Sequence, residues 1–177
     1  MRGKITNLTQ ISTNNVKDLL ELIGKVESRG NYNIIWGGKT VPLTTLTIKQ
    51  VLDFQSNLRV TGAKSTAAGK YQIIYQTLKN LQEVHKIPLD TKFNEETQDE
   101  LAIKLLNRRG LEKFLEGSIS LDEFMLNLSK EWASLPKDTS GVGYYDGDSL
   151  NRALVRPDEM IKVLNGIRSA YKIHGKS

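Results

Sequence analysis

Glu27 stands one residue past the last core position of an apolar stripe and just before the turn-forming run Ser28-Arg29-Gly30-Asn31-Tyr32. A carboxyl at a helix end beside a turn can be partly buried, and burial moves a carboxyl pKa towards the range of a general acid near neutral pH. The chain has 20 acidic residues, and most acids of a domain are solvated, so position alone does not separate Glu27 from a surface acid. Ser28 and the polar turn bring small groups of the kind a substrate cleft uses, though an ordinary turn has the same composition. Tyr71-Gln72, after Ala67-Ala68-Gly69-Lys70, offers an aromatic face, an amide and a close backbone approach. That set suits an N-acetylated sugar and equally a helix start. Gly141-Val142-Gly143-Tyr144-Tyr145-Asp146 reads as an aromatic lip over a groove, and the glycine patterns of nucleotide loops are absent from it.

Other chemistry is excluded by composition. With no cysteine there is no disulfide framework, thiolate nucleophile or cysteine-based zinc site. The two histidines, His85 and His174, are too few for a three-histidine metal centre. No metal and no cofactor is therefore expected, and catalysis must use carboxylates, hydroxyls, amides or lysine. Trp36 and Trp132 can both stack on sugars, but Trp132 at helical spacing from Leu128 reads as core. The net charge of +5 favours a polyanionic partner without choosing among nucleic acid, an anionic membrane and a cell-wall polymer.

The elements that must position these groups are mostly helical. Residues 1–14 read as a polar arm, and 15–177 as a single domain. Val16, Leu19, Leu20, Leu22, Ile23 and Val26 recur at three- and four-residue spacing, which predicts an amphipathic helix over 15–27 capped by Asn14 or Asn15. The β-prone run Tyr32 to Val41, folded about Gly37-Gly38, predicts a small β-ribbon. Thr47 with Gln50 forms a capping box and opens a helix with Ile48, Val51 and Leu52 inward. A helix is expected over 71–85 on the face of Ile74, Leu78, Leu81 and His85. Another runs from Asn94 through Leu106 to Arg108-Arg109, with Gly110 as its stop. A second capping box, Ser120 with Glu123, opens a helix carrying Phe124, Met125, Leu128 and Trp132 inward and ending near Leu135-Pro136. After a loop over 137–149, a last helix uses Pro157 at its first position and turns Ile161, Leu164, Ile167 and Tyr171 to one side. The class is α+β, mostly helical with an early β-ribbon. No apolar stretch approaches the ~20 residues of a membrane span, and the N-terminus lacks a signal-peptide pattern, so synthesis in the cytoplasm is expected.

Four blocks carry a resemblance: Val26-Glu27-Ser28-Arg29-Gly30, Tyr32 to Gly38, Ser65 to Ile73, and Trp132 to Pro136 with Gly141-Val142-Gly143-Tyr144. In that order they resemble the family of lytic transglycosylases around the bacteriophage lambda endolysin, over about residues 15 to 170. The resemblance implies a lysozyme-like fold with a cleft between two lobes. It also implies cleavage of the β-1,4 bond between N-acetylmuramic acid and N-acetylglucosamine. The family's catalytic glutamate falls on Glu27, and Gln72 and Tyr144 would border the sugar site. Ser28, Tyr32, Asn33, Tyr71 and Tyr145 join them as expected substrate contacts, with Ser28 bonding the Glu27 carboxylate. Asn33 departs from the pattern, because the lambda member has an acidic residue there. A two-carboxylate hydrolase would be undermined by that loss, whereas a transglycosylase would not.

The implied partner is bacterial peptidoglycan, met by a monomer with no membrane insertion. The enzyme would reach the wall from the host cytoplasm through a separate factor, or as part of a virion. Two alternatives remain: a hydrolytic muramidase using Asp53 or another acid on water, and a non-catalytic wall-binding or virion module. A nucleic-acid-binding domain is disfavoured, because Lys and Arg are dispersed and the aromatics lie in the sugar-cleft blocks.

Overall fold

The computed structural model describes residues 11–146 and 153–172. Residues 1–10 of the expected arm, the end of the loop over 137–149 and His174 lie outside the described residues. The chain forms two compact units, one from the described parts of Met1–Val26 and Ile103–Ser177, the other Glu27–Ala102.

In the first unit the predicted leading helix is α1, Lys17–Ser28, and its stripe of Val16, Leu19, Leu20, Leu22 and Ile23 is buried. Of the two expected caps, Asn15 has its side chain turned back along the chain. Asn15 Oδ1 instead accepts from Ser12 N at 2.9 Å and Ser12 Oγ at 3.2 Å, closing the turn that precedes the helix. Short polar side chains favour such local backbone bonds over the helix end whenever the turn offers them first.

The second unit supplies α2, Ile48–Val60, α3, Tyr75–Val84, and the start of α4, Glu95–Arg108. The Thr47 capping box is complete: Thr47 Oγ1 accepts from Gln50 N at 3.1 Å and Gln50 Oε1 accepts from Thr47 N at 2.9 Å. Asn94 caps α4 through Thr97 N at 3.0 Å. Helix α3 begins four residues later than its periodicity predicts, so Ile74 is its exposed N-cap and His85 its exposed C-cap. The delay has a local cause. Gly69 and Gln72 both take left-handed backbone, at φ +83° and +52°, and Ala68 and Ile73 exchange two backbone hydrogen bonds of 3.0 and 3.1 Å across the resulting loop. Thr66 Oγ1 then accepts from Tyr75 N at 2.8 Å and supplies the cap from a distance.

The early β-ribbon is reduced to isolated antiparallel bridges, Ile34 with Thr40, Ile35 with Ala68 and Ala68 with Ile73. Gly37-Gly38 do make the turn, both at positive φ. Pro42 and the 3-10 turn Leu43–Thr45 then end the returning arm before a ladder can grow. No strand longer than a bridge occurs among the described residues.

Gln55 of α2 holds this bridged region from beneath. It is completely buried, and its Nε2 donates to Thr66 O at 2.8 Å and Ile73 O at 2.9 Å.

Back in the first unit, Gly110 at φ +103° ends α4 and leads into a short helix the sequence reading did not separate, α5, Leu111–Leu115. It packs with α6, Leu121–Glu131, and α7, Pro157–Ala170. Phe114 and Phe124 stack at 4.7 Å, and the Arg168 guanidinium caps the Phe114 ring at 4.7 Å. Ser120 caps α6 through Glu123 N at 3.1 Å. The helix stops at Glu131, short of Leu135-Pro136, because Trp132 turns extended while its side chain enters the core. In α7, Met160, Leu164 and Ile167 are the buried side chains, with Ile161 only half-buried. No helix among the described residues is long and apolar enough to cross a membrane.

Because Gln55 holds two carbonyls with one amide, Gln55→Ala removes the Gln55 donor from Thr66 O, leaves Ile73 O with Ala68 N alone, and opens a void. The expected loss is about 2–4 kcal/mol, read from urea denaturation, and a loss of less than half that would remove Gln55 as the anchor of the bridged region.

Candidate active site

Glu27 occupies the last turn of α1, half-buried. Ser28, next to it and buried, donates its hydroxyl proton to Lys70 O at 2.7 Å. A hydroxyl has one proton, so the bond to Lys70 O leaves the Ser28 oxygen with acceptor capacity only.

Lys70 is the centre of the surrounding cluster. It is only 5% exposed, with Nζ 4.8 Å from the Tyr32 ring centroid, 5.6 Å from that of Tyr71 and 3.4 Å from the Tyr32 hydroxyl. Both phenols donate to one oxygen: Tyr32 and Tyr71 reach Asp99 Oδ1 at 2.9 and 2.6 Å. Gln98, buried beside Asp99 on α4, accepts from Lys70 N at 2.9 Å and donates to Tyr32 O at 3.1 Å and Phe93 O at 2.9 Å. Gly69 is required here for a second reason besides its φ, since a Cβ on it would collide with the Gln98 side chain.

Tyr71 was expected to present a face to sugar. It is 1% exposed, because its ring is held between the Lys70 ammonium and the core, and it has no outward face. Tyr32 is half-buried and keeps part of its ring open. Burial and the hydrogen bond to Asp99 push its phenol pKa above the ordinary value, against a smaller opposing pull from Lys70. Asn33 is also committed: its Oδ1 accepts from Thr44 N at 2.9 Å and its own N donates to Asn31 Oδ1 at 2.8 Å. Gln72 Nε2 donates to Gly69 O at 2.9 Å and Ile34 O at 3.3 Å, from a left-handed backbone that a non-glycine residue adopts only under constraint.

Asp53 does not join the cluster. It lies on the exposed side of α2, paired with Lys49 at 3.0 Å with about two-thirds of its side chain in solvent. Trp36, on the Gly-Gly turn, is exposed.

Tyr144 and Tyr145 belong to the first unit. They are exposed and meet edge to face at 4.9 Å. Lys130 lies over the Tyr144 ring at 5.4 Å, and the Tyr145 hydroxyl donates to Lys130 O at 2.8 Å. The aromatic lip is thus braced against α6, and a bridge between Pro136 and Gly143 closes its base.

The sequence reading passed over Asp99, Gln98 and the buried role of Lys70. Their signal was thin: Gln98-Asp99 looks like the polar face of an amphipathic helix, and Lys70 looks like a loop lysine. No group of three or more potential metal ligands occurs among the described residues.

The fold built from these parts is lysozyme-like. It matches a solved structure of bacteriophage lambda lysozyme, described as complexed with a chitohexasaccharide, at a TM-score of 0.54 and 19% identity over 87% of this chain and 94% of that one. No curated protein matches the sequence. The Endolysin family model matches residues 21–156, and the chain belongs to that family.

The raised Tyr32 pKa has a definite sign. A phenol more easily kept protonated in the folded state contributes stability that is complete below the unfolded phenol value and is lost as pH rises through the folded one. Wild-type stability to urea should therefore fall between about pH 10 and the folded Tyr32 value, and Tyr32→Phe should lose less over the same window. Equal losses in the two proteins would mean that the hydroxyl is not part of the folded network.

Proposed function

We propose that the protein is a peptidoglycan-degrading lysin that acts as a lytic transglycosylase, cutting between N-acetylmuramic acid and N-acetylglucosamine with Glu27 as its catalytic residue. The observation that carries this reading is the setting of Glu27. A half-buried carboxyl ends a long helix, within a chain of the Endolysin family, and its neighbour Ser28 is tied to the Lys70 cluster.

Glu27, protonated, gives its proton to the glycosidic oxygen as the bond from C1 of the muramic sugar breaks and C1 gains oxocarbenium character. The carboxylate left behind takes the proton of the same sugar's C6 hydroxyl. That oxygen bonds to C1, closing a 1,6-anhydro ring and returning Glu27 to its acid form. No water is consumed. Nucleophile and electrophile belong to one sugar, and orientation within such a pair contributes up to ~7–11 kcal/mol in favourable intramolecular systems.

The other acids support the choice over hydrolysis. An inverting or retaining hydrolase needs a second carboxylate facing the sugar. Asn33 is uncharged and bonded to Thr44 N, Asp53 is solvated and paired with Lys49, and Asp99 has one oxygen shared by two phenols. Of the other expected contacts, Gln72 retains its amide oxygen for a sugar N–H, Tyr32 retains part of its ring, and Tyr144 and Tyr145 offer stacking faces in their own unit. The net charge of +5 adds a salt-sensitive attraction to the anionic wall.

Digestion of purified murein followed by mass analysis tests the reaction. The expected products end in anhydro-muramic acid; reducing ends, one water heavier, would replace this reading with a hydrolytic muramidase. Glu27→Gln should lower turnover by at least about a hundredfold. Clearing by Glu27→Gln equal to the wild type would leave a reading without catalysis at Glu27.

A further inference from the structure

Lys70 is linked to both ends of a chain of contacts that no part of the reaction uses directly. Its ammonium is buried, and an ammonium removed from water needs compensation or its burial is strongly destabilising. Its Nζ donates to the Tyr32 hydroxyl at 3.4 Å and lies against the faces of Tyr32 and Tyr71, whose attraction for a cation is electrostatic. Both rings carry hydroxyls that donate to Asp99 Oδ1. Hydrogen bonds from the phenols to a carboxylate push electron density back into the rings, so the negative charge of Asp99 is felt by Lys70 through Tyr32 and Tyr71.

The backbone of Lys70 is held as firmly as its side chain. Its N–H donates to Gln98, the residue before Asp99 on α4, and its carbonyl accepts the Ser28 hydroxyl. Ser28 and Glu27 are consecutive in the last turn of α1. One path therefore runs from Asp99 through the two phenols to Lys70, from Lys70 to Ser28, and from Ser28 to Glu27.

We propose that Asp99 is a positioning residue for Glu27, fixing Lys70 through the Tyr32 and Tyr71 hydroxyls so that the Lys70 carbonyl holds the end of α1 in the pose from which Glu27 acts. The proposal rests on Glu27 as the catalytic acid. Asp99 touches no substrate; the two hydrogen bonds it accepts act through the phenols on the lysine.

The test uses soluble murein glycan strands and the full chain. Asp99→Ala should lower kcat by about ten- to a hundredfold while KM changes less than about twofold, since a displaced acid weakens the chemical step more than sugar binding. Asp99→Asn keeps an oxygen acceptor for both phenols and should recover kcat to within about threefold of the wild type. Ser28→Ala should lower kcat as well, and Ser28→Ala combined with Asp99→Ala should be no slower than the slower single variant, because both break one path. If Asp99→Ala does not fold, Tyr71→Phe carries the same measurement, with a kcat loss at unchanged KM expected and an unchanged kcat overturning the proposal.

Unaltered kcat in Asp99→Ala, no recovery in Asp99→Asn, or additive losses in the double variant would each overturn it. An inactive Glu27→Gln beside a fully active Asp99→Ala removes only the positioning role, whereas an active Glu27→Gln removes the catalytic reading and this one with it.

Discussion

A positive charge with almost no access to water organises the second unit. The Lys70 ammonium lies against two aromatic faces, and the residues around it follow from that placement. Tyr71 is withdrawn from solvent because its ring covers the cation; Asp99 is turned towards the two phenols; Gln98 holds the lysine backbone; and Gly69 leaves room for Gln98. A lysine at the surface would need none of these. Buried ion clusters contribute little net stability compared with a well-packed apolar core, but their directional bonds allow few alternatives. That rigidity extends to the segment that adjoins Glu27 through Ser28.

Asn33 holds its place in the fold through an oxygen acceptor and without a charge. Its Oδ1 accepts from Thr44 N, a bond that a carboxylate oxygen could accept equally well. The geometry at this position therefore depends on an oxygen acceptor, and the charge can be present or absent without rebuilding the turn.

The helices were legible where the signal was local. Thr47 with Gln50, Asn94, Ser120 and Pro157 all mark helix starts that the structure contains, because a cap depends on residues three positions apart. The place of Glu27 near the end of α1 was legible from the three- and four-residue spacing of the apolar stripe before it. What escaped was set by partners far along the chain. The start of α3 is delayed by the Ala68–Ile73 closure and capped by Thr66, which no helical period encodes. Tyr71 is buried by Lys70 and held by Asp99, 28 residues away in sequence, so its aromatic character read as a sugar face. The β-prone run Tyr32 to Val41 has the side chains of a ribbon, but the 3-10 turn after Pro42 leaves it no length to form one.

The second unit is one uninterrupted stretch, Glu27–Ala102, while the first is assembled from chain on both sides of it. On a ribosome, Ser28, Tyr32, Tyr71, Gln98 and Asp99 have all been made by residue 102, before α6 or α7 exists. The contiguous unit thus carries these contacts of its buried lysine within one stretch of chain. The first unit must await its C-terminal helices, and the loop it then closes is a folded body instead of a free coil, which reduces the chain entropy lost on closure. The order in which the buried charge and the remaining core are completed is therefore written into the connectivity, with the cluster beside Glu27 able to form first.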